Sequence, residues 1–177
     1  LGVEVEQIRN IVEFEEENPS ELKIHIMDEI DHDEFNIDLS SCENGDDRIC
    51  NFNIDLDGYD GQEILYWFVL KDIAGNEFIS RKIDLRVDTT SPVINNLNYA
   101  IDNTRVKFMI EVDEESLDVI EYMDNSNNRP TWRTLCTRLR NGMCETTKSF
   151  RTGIHDVSIQ AVDEAGNTAA QSIEFVV

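Results

Sequence analysis

Val157-Ser-Ile-Gln-Ala-Val-Asp163-Glu-Ala-Gly-Asn167 is the stretch from which the fold can be read. Apolar residues at 157, 159 and 161 alternate with polar ones, the period-two pattern of a strand with one buried face. The Asp-x-Ala-Gly-Asn that follows is a tight hairpin turn. Glycine supplies a positive φ at little steric cost. Aspartate accepts hydrogen bonds from amides ahead of it, and asparagine tolerates the left-handed region. The same phrase occurs earlier, as Tyr66-Trp-Phe-Val-Leu-Lys-Asp72-Ile-Ala-Gly-Asn76. Superposing the two aspartates sets Tyr66, Phe68 and Leu70 on Val157, Ile159 and Ala161 as the inward positions. Leu65, Trp67 and Val69 then point outward, where the second copy has Asp156, Ser158 and Gln160.

Upstream of each phrase lies a cysteine pair with the same spacing, Cys42 with Cys50 and Cys136 with Cys144. In a small β domain such local pairs point to one disulfide per copy. Zinc is the rival reading, but zinc pairs are usually closer and no histidine accompanies these. Disulfides place the chain outside the reducing cytosol. Further upstream, Leu22, Ile24 and Ile26 alternate with polar residues, and Val106, Phe108, Ile110 and Val112 do the same in the second copy. Both read as strands with one buried face, and the two cysteines of each pair would face each other near the mouth of a hairpin. Gln7–Glu17 reads as the first strand of copy one, matching Val93–Tyr99, with a short helix as the alternative. The runs 78–87 and 168–177 close each sheet. Many short strands with regular turn signals mean an all-β chain of two tandem sandwiches. The boundary falls at the linker Val87-Asp-Thr-Thr-Ser-Pro-Val93, giving residues 1–89 and 90–177.

The 177 residues are 40% hydrophobic, too apolar for a disordered chain. The net charge is -22, with 24 acidic against 7 basic side chains in residues 1–89 and 13 against 8 in 90–177. Such a charge repels nucleic acid and anionic lipid, and attracts divalent cations. No apolar run is long enough to span a bilayer, so no membrane insertion by this stretch is expected. The chain opens on Leu1 without a visible leader and reads as a piece of something longer.

The two Asp-x-Ala-Gly-Asn turns and the Val-Asp-Thr-Thr-Ser-Pro linker resemble the tandem Ig-like (fibronectin-III/Ig-type) domains of bacterial and archaeal surface proteins. The resemblance covers both copies through short motifs. It implies two Ig-like β-sandwiches and an extracellular or cell-surface location. The expected role is a non-catalytic stalk, adhesion or S-layer-like module of a larger prokaryotic surface protein. Its partners are then the other domains of that parent, or a protein or glycan. An accessory binding module of a secreted enzyme is the alternative.

Three candidate sites follow. Asp88 in the linker, with Asp113, Glu114 and Asp163, offers hard oxygens of the kind calcium takes six to eight of. In an Ig-type sandwich the chain leaves the first copy towards these loops of the second, so calcium is the possible cofactor. The competing role for Asp72 and Asp163 is turn formation, and no EF-hand loop is present. The outward row Leu65, Trp67 and Val69 is a candidate interface. Trp132 with Arg138 and Arg140, beside Arg129 and Arg133, is another, because tryptophan and arginine are enriched at binding hot spots. The equivalent tip of copy one is acidic, with Glu43, Asp46 and Asp47. For catalysis there is no G-x-S-x-G, H-E-x-x-H or P-loop. His25, His32 and His155 are scattered, and a surface or satisfied sheet position is expected for His25 and His155.

Overall fold

A computed structural model describes residues 11–43 and 48–177. The chain divides into two compact units, Leu1–Thr89 and Thr90–Val177. The first contains β1 (Ile11–Phe14), β2 (Pro19–Met27), β3 (His32–Asn36), β4 (Arg48–Asn51), β5 (Glu63–Asp72), β6 (Glu77–Ile79) and β7 (Ile83–Arg86). The second contains β8 (Val93–Asp102), β9 (Arg105–Asp113), β10 (Leu117–Asp124), β11 (Arg133–Cys136), β12 (Met143–Ser149), β13 (Ile154–Asp163) and β14 (Thr168–Val176). The described residues hold no α-helix, only short 3-10 turns at Leu39–Ser41 and Asp57–Tyr59.

In the second unit a sheet ordered β12-β9-β8 faces one ordered β11-β10-β13-β14. Alternation decides what lies between them. Val106, Phe108, Ile110 and Val112 of β9 share one core with Ile120 and Tyr122 of β10 and with Val157, Ile159 and Ala161 of β13. Phe108 is fully buried against Tyr122, Phe150 and Phe175. In the first unit β1 pairs with β4, and the larger sheet runs β3-β2-β5-β6, with β7 also on β5. Its core takes Leu22, Ile24 and Ile26 from β2, Ile64, Tyr66 and Leu70 from β5, and Cys50, Phe52 and Tyr59 from the return. Both units are all-β sandwiches of the Ig type.

Strand pairing settles one equivalence between the copies and corrects another. β2 lies on β5, just as β10 lies on β13. The alternating run Leu22, Ile24, Ile26 is therefore the counterpart of Ile120, Tyr122 and Asp124, not of Val106–Val112. Likewise β1 pairs with β4 as β9 pairs with β12, so Ile11–Phe14 matches β9 rather than Val93–Tyr99. Periodicity records which face of a strand is buried but not which sheet the strand joins. The rest of the expected first strand, before Ile11, lies outside the described residues, as do Asp46 and Asp47 of the acidic tip.

Disulfides join Cys42 to Cys50 and Cys136 to Cys144. The second does not close a hairpin mouth. Cys136 ends β11 in one sheet and Cys144 belongs to β12 in the other, so the bond ties the two layers together. The tight turn is nearer the tip, where Asn141 and Gly142 both take positive φ between reciprocal Arg140–Met143 backbone bonds.

Candidate functional site

The two Asp-x-Ala-Gly-Asn turns have nearly the same hydrogen bonding. In each, one aspartate oxygen accepts from the asparagine backbone amide at 2.8 Å. The other oxygen accepts from the asparagine side-chain amide, at 2.6 Å for Asp72 and 2.9 Å for Asp163. Gly75 and Gly166 hold φ of 88° and 83°. Asp163 is 1% exposed. Its oxygens are thus engaged in holding its own turn. Glu114 accepts from the Ser116 amide at 2.7 Å. Of the carboxylates considered for calcium, Asp88 belongs to the first unit and Asp113, Glu114 and Asp163 to the second.

Several first-unit carboxylates act in the same way. Asp28 accepts from the amides of Asp31 and Ile30, closing the β2–β3 turn, and those bonds lower its pKa. The Asn76 side-chain amide, aided by its backbone N–H, lowers that of Asp72. A depressed native pKa adds stability that is complete above the unfolded value and is lost as pH falls through the native one. Urea midpoints of the first unit are therefore expected to drop on acidification below about pH 4, the ordinary aspartate range. Asp72→Ala should lower the midpoint at neutral pH and flatten the acid limb. An unchanged acid limb in that variant would count against this account.

The outward face of the larger first-unit sheet brings three residue types together. Across the strands, Glu34 of β3 lies opposite His25 of β2, which lies opposite Trp67 of β5. One row on, His32 is opposite Met27, and Met27 opposite Leu65. On the other side Lys23 is opposite Val69. The sequence-based parity of Leu65, Trp67 and Val69 is the one the sheet adopts, but the row is not open at its centre. Trp67 is only 8% exposed. Its ring stacks on His25 at 5.1 Å and 11°, His32 leans on it at 5.3 Å, and Lys82 Nζ lies 4.2 Å from its centroid. His25 Nδ1 is 2.9 Å from His32 Nε2 and 3.5 Å from Glu34 Oε1. Burial is the main influence lowering the His25 pKa, against the opposing pull of Glu34.

This cluster escaped sequence reasoning because His25 and His32 look scattered in the chain. Once Asp28–Asp31 is read as the hairpin turn, a two-residue side-chain period puts His32 and Glu34 on the same face as His25.

In the second unit, His155 and Asp124 are each 7% exposed. His155 Nδ1 is 2.8 Å from Asp124 Oδ2, and its Nε2 is 2.8 Å from the Arg151 carbonyl. The ring packs against Phe150 and Phe175. The pair borders a shallow cleft of about 190 Å³ that Ser149, Arg133 and Arg151 also line. An Asp–His pair beside a serine suggests part of a hydrolase triad. However, the nitrogen that would take the serine proton is already bonded to a backbone carbonyl. The pair is a satisfied buried contact, as expected for His155. Trp132 is 38% exposed just before β11, and Arg129, Arg133, Arg138 and Arg140 are all exposed.

A three-on-four antiparallel sandwich, with the chain switching sheets after β9, β11 and β12, defines the Ig and fibronectin-III class of β-sandwich. The solved FN1-FN3 domains of chicken CNTN1 share this fold. They match over 96% of this chain and 57% of that one, with TM-score 0.56 and 8% identity. The present chain thus spans little more than half of that structure. A chimeric titin Z1Z2-Z1Z2 tandem matches more loosely, over 90% of this chain and 84% of that one at TM-score 0.40 and 14% identity. An amphioxus IgVJ-C2 molecule matches over 99% and 100%, at TM-score 0.35 and 13% identity. No protein-family model and no curated protein matches the sequence.

Proposed function

We propose that the chain is a non-catalytic stalk or adhesion module of a larger prokaryotic surface protein, working outside the reducing cytosol. The observation that carries this reading is the pair of disulfides, one in each Ig-type sandwich, with no cysteine left free. Disulfides persist in oxidising compartments and are rare in the cytosol. The linker and turn motifs support the prokaryotic surface context by resemblance. No helix among the described residues is long and apolar enough to cross a membrane, so attachment would come from elsewhere in the parent.

Cells making the full parent protein can be treated with a membrane-impermeant maleimide before and after reduction. Labelling of the four cysteines only after reduction, on intact cells, is the expected result. Four free thiols in the native protein, or labelling only after lysis, would reject it.

A second reading, an accessory glycan- or protein-binding module, draws on the exposure of Trp132 beside several exposed arginines. On a glycan array, Trp132→Ala should abolish any binding that the parent chain shows. Binding retained by that variant would exclude Trp132 as its anchor.

A further inference from the structure

We propose that His25, His32 and Glu34 form a binding site for a divalent ion of the zinc, nickel and copper class on the open face of the β2–β3 hairpin. The ligand set is two imidazole nitrogens and one carboxylate oxygen, all within 4.8 Å of one another. Ions of this class bind histidine at about 2.0–2.1 Å, so two ligands at a tetrahedral angle lie about 3.4 Å apart and two at a right angle about 2.9 Å. The observed His25–His32 and His25–Glu34 separations are 2.9 Å and 3.5 Å. The third edge, between His32 and Glu34, is no longer than 4.8 Å and has to shorten when an ion binds.

Three features of the fold prepare this site. Registered antiparallel pairing of His25 with Glu34 and Met27 with His32 fixes the ligand backbones. The Asp28 turn holds the two strands together at that end. Lys23 Nζ lies 3.6 Å from Glu34 Oε2, while Oε1 faces His25. The lysine therefore orients the carboxylate and leaves the other oxygen for the ion, the supporting role that outer contacts play in metal sites. His32 and Glu34 are exposed, so at least one coordination position faces solvent, where water or a side chain of a binding partner can enter. Two imidazoles select against calcium and magnesium, which prefer all-oxygen sites. The second unit has no such set: the position matching His25 is Met123 of β10, opposite Ser158 of β13.

Trp67 makes the site readable. Its ring stacks on one ligand and touches the other, so an open-shell ion bound there quenches its emission. The experiment uses the tag-free full chain carrying Trp132→Phe, which leaves Trp67 as the only tryptophan. Copper(II) titration should give saturable quenching, reversed by a chelator and not by excess calcium(II). Loss of an outer partner alone weakens metal sites about 10–100-fold, so His32→Gln and Glu34→Gln should each weaken binding at least about tenfold. Both residues are exposed, and neither change removes core packing.

Quenching that is absent, unsaturable, equally displaced by calcium, or unchanged in both variants would overturn the proposal. X-ray absorption of the zinc-loaded, unsubstituted chain gives an independent readout: scattering from two imidazoles is expected, and an all-oxygen shell would reject the site. The outcome does not depend on the stalk reading, because neither readout involves cellular location.

Discussion

Replacing either Asp124 or His155 alone by isoleucine is expected to destabilise the second unit by about 3–5 kcal/mol, whereas replacing both together should restore most of that loss. The reasoning begins with strand register. β13 and β5 correspond residue for residue through their shared turns, and β10 lies on β13 as β2 lies on β5. Asp124 is opposite Val157 and Ile26 opposite Tyr66, which are matching positions. The Asp124–His155 pair of one unit therefore occupies the place of Ile26 and Ile64 in the other, both fully buried. A single change leaves a buried carboxylate without its imidazole, or an imidazole nitrogen without its acceptor. The double change yields an apolar contact that the same fold already accommodates elsewhere in the chain. Two further bonds are lost with the pair, the Ser126 amide to Asp124 at 3.1 Å and His155 Nε2 to the Arg151 carbonyl at 2.8 Å. Hydrogen exchange of peptides covering β10 and β13 reads the effect in the intact chain. A double variant whose loss equals the two single losses added together would show no coupling between the residues and would reject this account.

The same correspondence shows what the sequence made legible. The inward parity of Tyr66, Phe68 and Leu70 and of Val157, Ile159 and Ala161 could be read because the turns anchor both copies at one point. Extending that parity by two residues places His155 inward, at the position that Ile64 holds in the first copy. That contrast lies in the amino-acid sequence itself and marks His155 as unusual. The identities of β1 and β2 were not legible in this way. Leu22–Ile26 and Val106–Val112 share one alternation, and alternation cannot distinguish a strand that joins β4 from one that joins β5. The acidic residues resisted reading for a related reason. In composition Asp163 looks like a cation ligand, and only its hydrogen bonds show it closing a turn, as those of Asp28 and Asp72 show for theirs. The His25–His32–Glu34 cluster needed the hairpin register, which links residues that look unrelated along the chain.

Removing the disulfides should have the next largest effect. Each closes a ring with a sequence separation of 8. For a ring this short the loop-entropy model gives about 2–3 kcal/mol per bond, through the unfolded state alone. For a domain of this size that corresponds to a fall of about 8–24 °C in midpoint. The bonds differ in what they hold. Cys136–Cys144 joins opposite layers of the second sandwich, and Cys144 is fully buried in the shared core. Cys42–Cys50 links the end of a 3-10 turn to β4, with Cys50 fully buried. Two measurements separate ring closure from packing. Refolding the unsubstituted chain under reductant removes the covalent ring but keeps the sulfur volume. The pairs Cys136→Ala/Cys144→Ala and Cys42→Ala/Cys50→Ala remove both. Reduction should cost the two units similar amounts because the rings are equal. The alanine pairs should cost more than reduction in each unit, since each vacates a buried sulfur position. Midpoints unmoved by reduction would mean that neither ring constrains the unfolded chain. That result would also remove the energetic reason for each sandwich to carry its own bond.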